Sequence, residues 1–208
     1  MKLLVLNEAR HAIDDSFVEQ RCAVTPATVM RFTRMGFTVM IEQDAGALSG
    51  YPDAAYTEQG ATIVEATANV LGDADIVLYV NRPISSQLAQ LKANALVIGH
   101  IDPFFQQELV ESMAGKGLST LSVEMIPRSS RAQKMDALSS QASLAGYVMM
   151  MQAANALPSI LPMMMTPSGT IKPAKVFIIG AGVAGLQAIA TAKRLGANVL
   201  AYDTRPVV

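Results

Sequence analysis

Short runs of aliphatic and β-branched residues alternate along this chain with longer stretches in which apolar side chains recur every three or four positions. Leu3–Leu6, Thr38–Glu42, Ile76–Tyr79, Leu96–Gly99 and Ser119–Ser122 have the length and composition of strands. Helical spacing occupies Thr28–Met35, Ala66–Leu71, Ser85–Leu91 and Phe104–Lys116. Thr25 is suited to cap the first of these helices, Pro26 to its first turn, and Gly36 to its end. Strand and helix in alternation predict a parallel sheet covered on both faces, an α/β domain.

The pattern changes after Ser122. Residues 124–137 are polar, carry Arg128 and Arg131, and show neither period, so they are expected to form a loop. A long helix is predicted from about Ser139 to Ala156, followed by a polar loop over Thr166–Pro173. The methionine clusters Met149–Met151 and Met163–Met165 are expected to be adaptable core filler. A second α/β pattern then begins, with a strand at Lys175–Ile179, a helix at Leu186–Leu195 and a strand at Val199–Tyr202. The expected organisation is an N-terminal α/β domain over residues 1–138, a linking helix over 139–165, and the start of a second domain over 166–208.

Composition narrows the classes of function. Of the 208 residues 51% are hydrophobic and 16% charged, which supplies a core and excludes a disordered chain. A net charge of −1 gives no electrostatic ground for a nucleic-acid partner. Cys22 is the only cysteine, so an internal disulfide and a cysteine metal cluster are impossible, and a reducing, cytoplasmic setting is expected. The stretch Ala142–Met165 is apolar, but Gln152, Asn155, Pro158 and Pro162 interrupt it before the roughly 20 residues that a membrane span requires. No metal site is expected.

The chemistry lies in the second pattern. The strand Lys175–Ile179 runs into Gly180-Ala181-Gly182-Val183-Ala184-Gly185, and a helix follows. In such a G-x-G-x-x-G turn Gly180 permits the tight exit from the strand, and Gly182 lets a pyrophosphate approach the backbone at a helix N-terminus. Gly185 allows the helix to pack closely on the strand. Asp203 ends the next strand about 20 residues beyond Gly182, where an acid accepts hydrogen bonds from a ribose diol and repels a 2′-phosphate. NAD(H) is therefore favoured over NADP(H). Thr204 and Arg205 flank this acid, and Arg205 works against the preference by offering a cation to a phosphate. The site residues read from this unit are Gly180, Gly182, Val183, Gly185, Asp203, Thr204 and Arg205, in a Rossmann-like domain of which only the first part is expected to be present.

Those residues, above all Gly182–Ala197, resemble the NAD site of proton-translocating NAD(P) transhydrogenase alpha subunits, within a superfamily that includes alanine dehydrogenase. The likeness runs from Leu3 to Arg205. It takes in Arg21-Cys22-Ala23-Val24-Thr25-Pro26, similar to a motif of alanine dehydrogenase N-terminal domains. The segment Pro127–Gln141 resembles the transhydrogenase loop that reaches over the nicotinamide. By position, that resemblance gives catalytic roles to Arg128, Gln133, Asp136 and Ser139, and a cofactor-binding role to Arg131. Arg21 and His100 match the substrate arginine and catalytic histidine of alanine dehydrogenases, but Asn81 stands where those enzymes have a lysine.

The resemblance implies two Rossmann-like parallel-sheet domains, with the second apparently truncated. It also implies an oxidoreductase and translocase, the Re/Si-specific transhydrogenase. NAD(H) would bind here and NADP(H) on a partner domain. A homodimer would cooperate with a membrane-embedded proton-channel domain, and this soluble chain would lie peripherally on the cytoplasmic side of the bacterial inner membrane. A chain of this length is expected to be inactive alone. Direct hydride transfer between nicotinamides needs no metal, nucleophile or general acid, only position and exclusion of water. His100 then needs no catalytic role, and Arg21 need only pair with an acid. Two other readings stay open: an alanine-dehydrogenase-type oxidoreductase, and a catalytically silent NAD-binding module.

Overall fold

The computed structural model describes residues 1–11 and 18–205, which fall into two units, Met1–Pro127 and Arg128–Val208.

The first unit is built on six parallel strands: β1 (Lys2–Val5), β2 (Thr38–Glu42), β3 (Thr62–Val64), β4 (Ile76–Leu78), β5 (Leu96–Gly99) and β6 (Ser119–Ser122). They lie side by side in the order β3-β2-β1-β4-β5-β6. Leu3, Leu4, Val5 and Leu6 are all at most 2% exposed, as a central strand covered on both faces demands. Leu3 and Val5 pack with Val39, Ile41, Val29 of α1 (Pro26–Arg34) and Tyr56 of α2 (Asp53–Thr57). On the opposite face, Leu4 and Leu6 pack with Val77, Val97 and one residue from each of three helices. These are Leu71 of α3 (Ala68–Asp73), Leu88 of α4 (Ser85–Gln90) and Met113 of α5 (Gln107–Gly115). The strand order reverses between β1 and β4, and at such a switch point open α/β sheets bind ligands beyond the carboxyl ends of their strands.

Most boundaries follow the hydrophobic pattern. Thr25 caps α1, its Oγ1 accepting from the Thr28 N–H at 3.3 Å, and Gly36 ends that helix region with φ +88°. Three expectations are corrected. The sheet gains β3 and the first face gains α2, elements of three and five residues that are too short to show a period. The helix expected from Phe104 begins at Gln107, after a turn in which Asp102 takes φ +56°. The segment expected to be wholly irregular contains single-turn 3-10 helices at Val123–Met125 and Gln133–Met135.

The second unit opens with α6 (Ala137–Ala156), whose N-cap is Asp136. Next comes a hairpin of β7 (Met164–Thr166) and β8 (Gly169–Ile171), where a polar loop was expected; Pro167 and Ser168 make its tip. Then β9 (Lys175–Ile179), α7 (Val183–Arg194) and β10 (Asn198–Tyr202) form a β-α-β unit with the two strands parallel and in register from Lys175↔Asn198 to Ile179↔Tyr202. Met150 of α6 packs with Leu161, Ala192, Val176 and Val199. Of the two methionine clusters only Met150 is core: Met149, Met151, Met163, Met164 and Met165 are all exposed. Phe177, Ile179, Leu200 and Tyr202 line the exposed face of the two strands.

Among the described residues no helix is long and apolar enough to cross a membrane.

Candidate functional site

The glycine turn of the second unit is built to leave its backbone uncovered. Gly180 leaves β9 with φ +94°, a conformation that costs a side-chain-bearing residue energy. Gly182 is the N-cap of α7, and the first intrahelical bond runs from the Leu186 N–H to its carbonyl at 2.8 Å. The N–H groups of Val183, Ala184 and Gly185 therefore have no acceptor inside the helix and stand at the positive end of its dipole. A Cβ on Gly185 would lie 2.8 Å from the Gly180 carbonyl carbon and closer still to its oxygen, so only glycine lets helix and turn meet here.

Asp203 ties the end of β10 to this turn. Its Oδ2 accepts from the Ala181 N–H at 2.7 Å, and its Oδ1 from the Arg205 N–H at 2.9 Å. The Arg205 side chain closes on the same carboxylate, Nε to Oδ1 at 3.0 Å and Nη2 to Oδ2 at 3.0 Å. The guanidinium contact first, and the two backbone donors after it, hold the Asp203 carboxyl well below the usual carboxylate range. Thr204 is exposed beside it.

A depression of about 370 Å³ connects the turn to the start of α6 and is lined by Arg128, Leu138, Ser139, Gly180, Gly182 and Val183, among others. Two of the four residues given catalytic roles thus share a surface with the glycine turn. A third, Asp136, sits beside Ser139: its Oδ1 accepts from the Ser139 N–H at 2.9 Å and its Oδ2 from the Ser139 hydroxyl at 2.6 Å. The Ser139 contacts, with a smaller contribution from the Arg128 charge, lower the Asp136 carboxyl. This capping geometry accounts for Asp136 and Ser139 locally and fixes the start of α6. Arg131 and Gln133 stand exposed on the segment preceding α6 and do not line the depression.

The switch point of the first unit is filled by its own side chains. Glu8, 7% exposed, accepts from the Val80 and Asn81 N–H groups at 2.7 and 3.3 Å, and burial pushes its carboxyl up. Glu42 accepts from the Asn7 N–H at 2.7 Å and faces His11 Nε2 at 3.0 Å. Glu19 is buried and holds Arg21 through both oxygens, with Nε at 2.8 Å and Nη2 at 2.6 Å, while Asn81 Nδ2 donates to it at 3.2 Å. His100 donates from Nδ1 to the Val80 carbonyl at 2.7 Å. Among the described residues no group of histidine, cysteine and carboxylate side chains is placed to hold a metal.

Sequence reasoning missed three features of these regions. Neither the Ala181 tie to Asp203 nor the carboxylates Glu8, Glu19 and Glu42 had a signal, because backbone donors and three-dimensional clustering leave no spacing to read. Gly146 did carry one, as a glycine inside a helix. A Cβ there would stand 2.9 Å from the Ala184 carbonyl carbon, so this position sets how closely α6 approaches the start of α7.

Residues 13–145 match the family described as alanine dehydrogenase/PNT, N-terminal domain, and residues 149–208 its C-terminal domain. An NAD(P) transhydrogenase subunit alpha chain of Rhodospirillum rubrum is 41% identical over 210 residues, covering 99% of this chain and 53% of that relative. The crystal structure of transhydrogenase from Sinorhizobium meliloti superposes with a TM-score of 0.92 at 43% identity, covering 100% of this chain and 57% of the other. An L-alanine dehydrogenase structure gives 0.82 at 25% identity, covering 99% and 55%. The chain thus spans about half the length of these relatives. Its doubly wound N-terminal unit, the β-α-β unit that follows in the sequence and matches to both family models together place this chain in the alanine dehydrogenase/PNT family.

Proposed function

We propose that this chain is the NAD(H)-binding component of a proton-translocating, Re/Si-specific NAD(P) transhydrogenase. The reading rests above all on the depression that joins Arg128 and Ser139 to the glycine turn. The turn fits a dinucleotide: its glycines leave no Cβ over the backbone, and the start of α7 offers N–H donors to a pyrophosphate. Asp203, which is tied to Ala181 of the same turn, would accept from the ribose diol. Arg128, with Gln133 and Arg131 on the segment before α6, would orient the nicotinamide end, while Asp136 and Ser139 fix the helix start. When bound, NADH supplies the hydride. The residues of this chain would contribute position and exclusion of water.

On this reading NADP(H) is carried by a partner domain, and the proton path lies in a membrane-embedded domain of the same enzyme. The chain would act as a homodimer at the cytoplasmic face of the bacterial inner membrane. The domain organisation proposed with it is an N-terminal α/β domain over residues 1–138, a linking helix over 139–165 and a nucleotide-binding domain beginning at 166. Titration of NADH and NADPH against the chain by nicotinamide fluorescence tests the binding half, and NADH should bind more tightly. Equal affinity for both, or none for NADH, would sink it. Replacing Arg128 by Ala in a complete enzyme tests the catalytic half. Turnover should fall strongly while NADH affinity changes less.

A further inference from the structure

We propose that Arg205 is an internal occupant of the ribose site, which the adenosine ribose of NAD(H) must displace. This deepens the NAD(H) reading and rests on it. Each Asp203 oxygen already receives two donors: Arg205 N–H and Nε on Oδ1, and Ala181 N–H and Arg205 Nη2 on Oδ2. A carboxylate oxygen has two lone-pair directions, so no acceptor capacity is left for a diol. The two backbone donors belong to the turn and to the chain after β10. The two guanidinium donors can leave, because the Arg205 side chain is 58% exposed whereas that of Asp203 is 10% exposed. The fork presents to the carboxylate the same paired-donor pattern that a cis-diol presents. Nucleotide binding is therefore an exchange of one bidentate partner for another.

The guanidinium also stands over the approach to the turn, with Nη2 3.8 Å from where a Cβ on Gly182 would be. There it neutralises Asp203 and borders the glycine that a pyrophosphate must reach. The arrangement sets affinity and selectivity together. Competition from Arg205 weakens NAD(H) binding, and its charge masks the carboxylate that would otherwise repel a 2′-phosphate.

The test is a comparison of the full chain with Arg205→Ala and Arg205→Lys, titrated with NADH, ADP-ribose and NADPH. Arg205→Ala should bind NADH and ADP-ribose about two- to five-fold more tightly, the range expected for releasing an exposed ion pair. Arg205→Lys should fall between, since an ammonium cannot span both oxygens. NADPH should gain nothing, because the uncovered carboxylate meets its phosphate. In an Asp203→Asn background the gain should vanish, as a double-mutant cycle requires of two groups acting on each other. In the nucleotide-free protein, the NMR signal of Arg205 Nε should report a restrained side chain that becomes mobile on saturation with ADP-ribose. Equal or weaker NADH binding by Arg205→Ala, while wild type still binds, would overturn the exchange alone. Failure of every variant to bind NADH would overturn it together with the site reading.

Discussion

Asp203 holds the turn in shape through Ala181, and on the proposed reading the acceptor positions that Arg205 fills would choose between nucleotides. Replacing it with Asn keeps the size, halves the acceptors and removes the charge. NADH affinity should therefore fall and the NADH-over-NADPH difference should narrow, which parallel titrations would check; an unchanged ratio would remove Asp203 from selection. The spacing of this residue from the glycines was readable in sequence, because a β-α-β crossover has a nearly fixed length. Its pairing with Arg205 was not, since nothing in a sequence says whether a nearby arginine faces an acid or a phosphate. Arg21 shows the same limit from the other side. An acid partner was foreseeable in kind, but that the acid is the buried Glu19, two residues away, depends on the path of the backbone.

At the scale of elements, the second unit depends on two close approaches. Gly→Ala inside a helix ordinarily stabilises by up to about 1 kcal/mol. At Gly146 and Gly185 the added methyl would meet backbone carbonyls, of Ala184 and Gly180, and backbone cannot turn aside as a side chain can. The sign should invert, with each substitution destabilising by about 1–3 kcal/mol, as overpacking does. Denaturant unfolding would measure it, and a stabilised Gly146→Ala protein would show that α6 and α7 can separate without cost.

The start of α6 adds a pH dependence. Its cap Asp136 has a folded pKa depressed by Ser139, so the cap's contribution is complete above the ordinary aspartate value near 4 and is lost as pH falls through the lower, folded value. Asp136→Asn should flatten that acid limb of the stability curve. Elements with long apolar runs, such as β1, β9 and α6, were legible from their pattern. β3, α2 and the β7-β8 hairpin were not, because Thr62–Val64, Asp53–Thr57 and the exposed residues of the hairpin carry no comparable apolar run.

Across the whole molecule, two chemistries compete for one fold, and the side chains of the first unit weigh against one of them. Reduction of a keto acid with ammonia requires cations that hold the substrate carboxylate and polarise its carbonyl. At the switch point the matching arginine, Arg21, is held through two nitrogens by Glu19, and Asn81, neutral where a lysine is needed, also donates to Glu19. Glu8 and Glu42 are buried at the ends of the neighbouring strands, so the region is rich in acceptors rather than cations. His100 spends its Nδ1 proton on the Val80 carbonyl. An incoming carboxylate would have to displace Glu19 from Arg21. It would also lack a charge-assisted contact worth about 1.5–3 kcal/mol, a loss of roughly ten- to a hundred-fold in binding. We therefore expect a complete enzyme supplied with pyruvate, ammonia and NADH to form no alanine, and Asn81→Lys alone not to restore it while Glu19 still holds Arg21. Steady alanine formation by the wild-type enzyme, abolished by Arg21→Ala, would show that the pair opens to admit a keto acid, and the transhydrogenase reading would give way to the dehydrogenase.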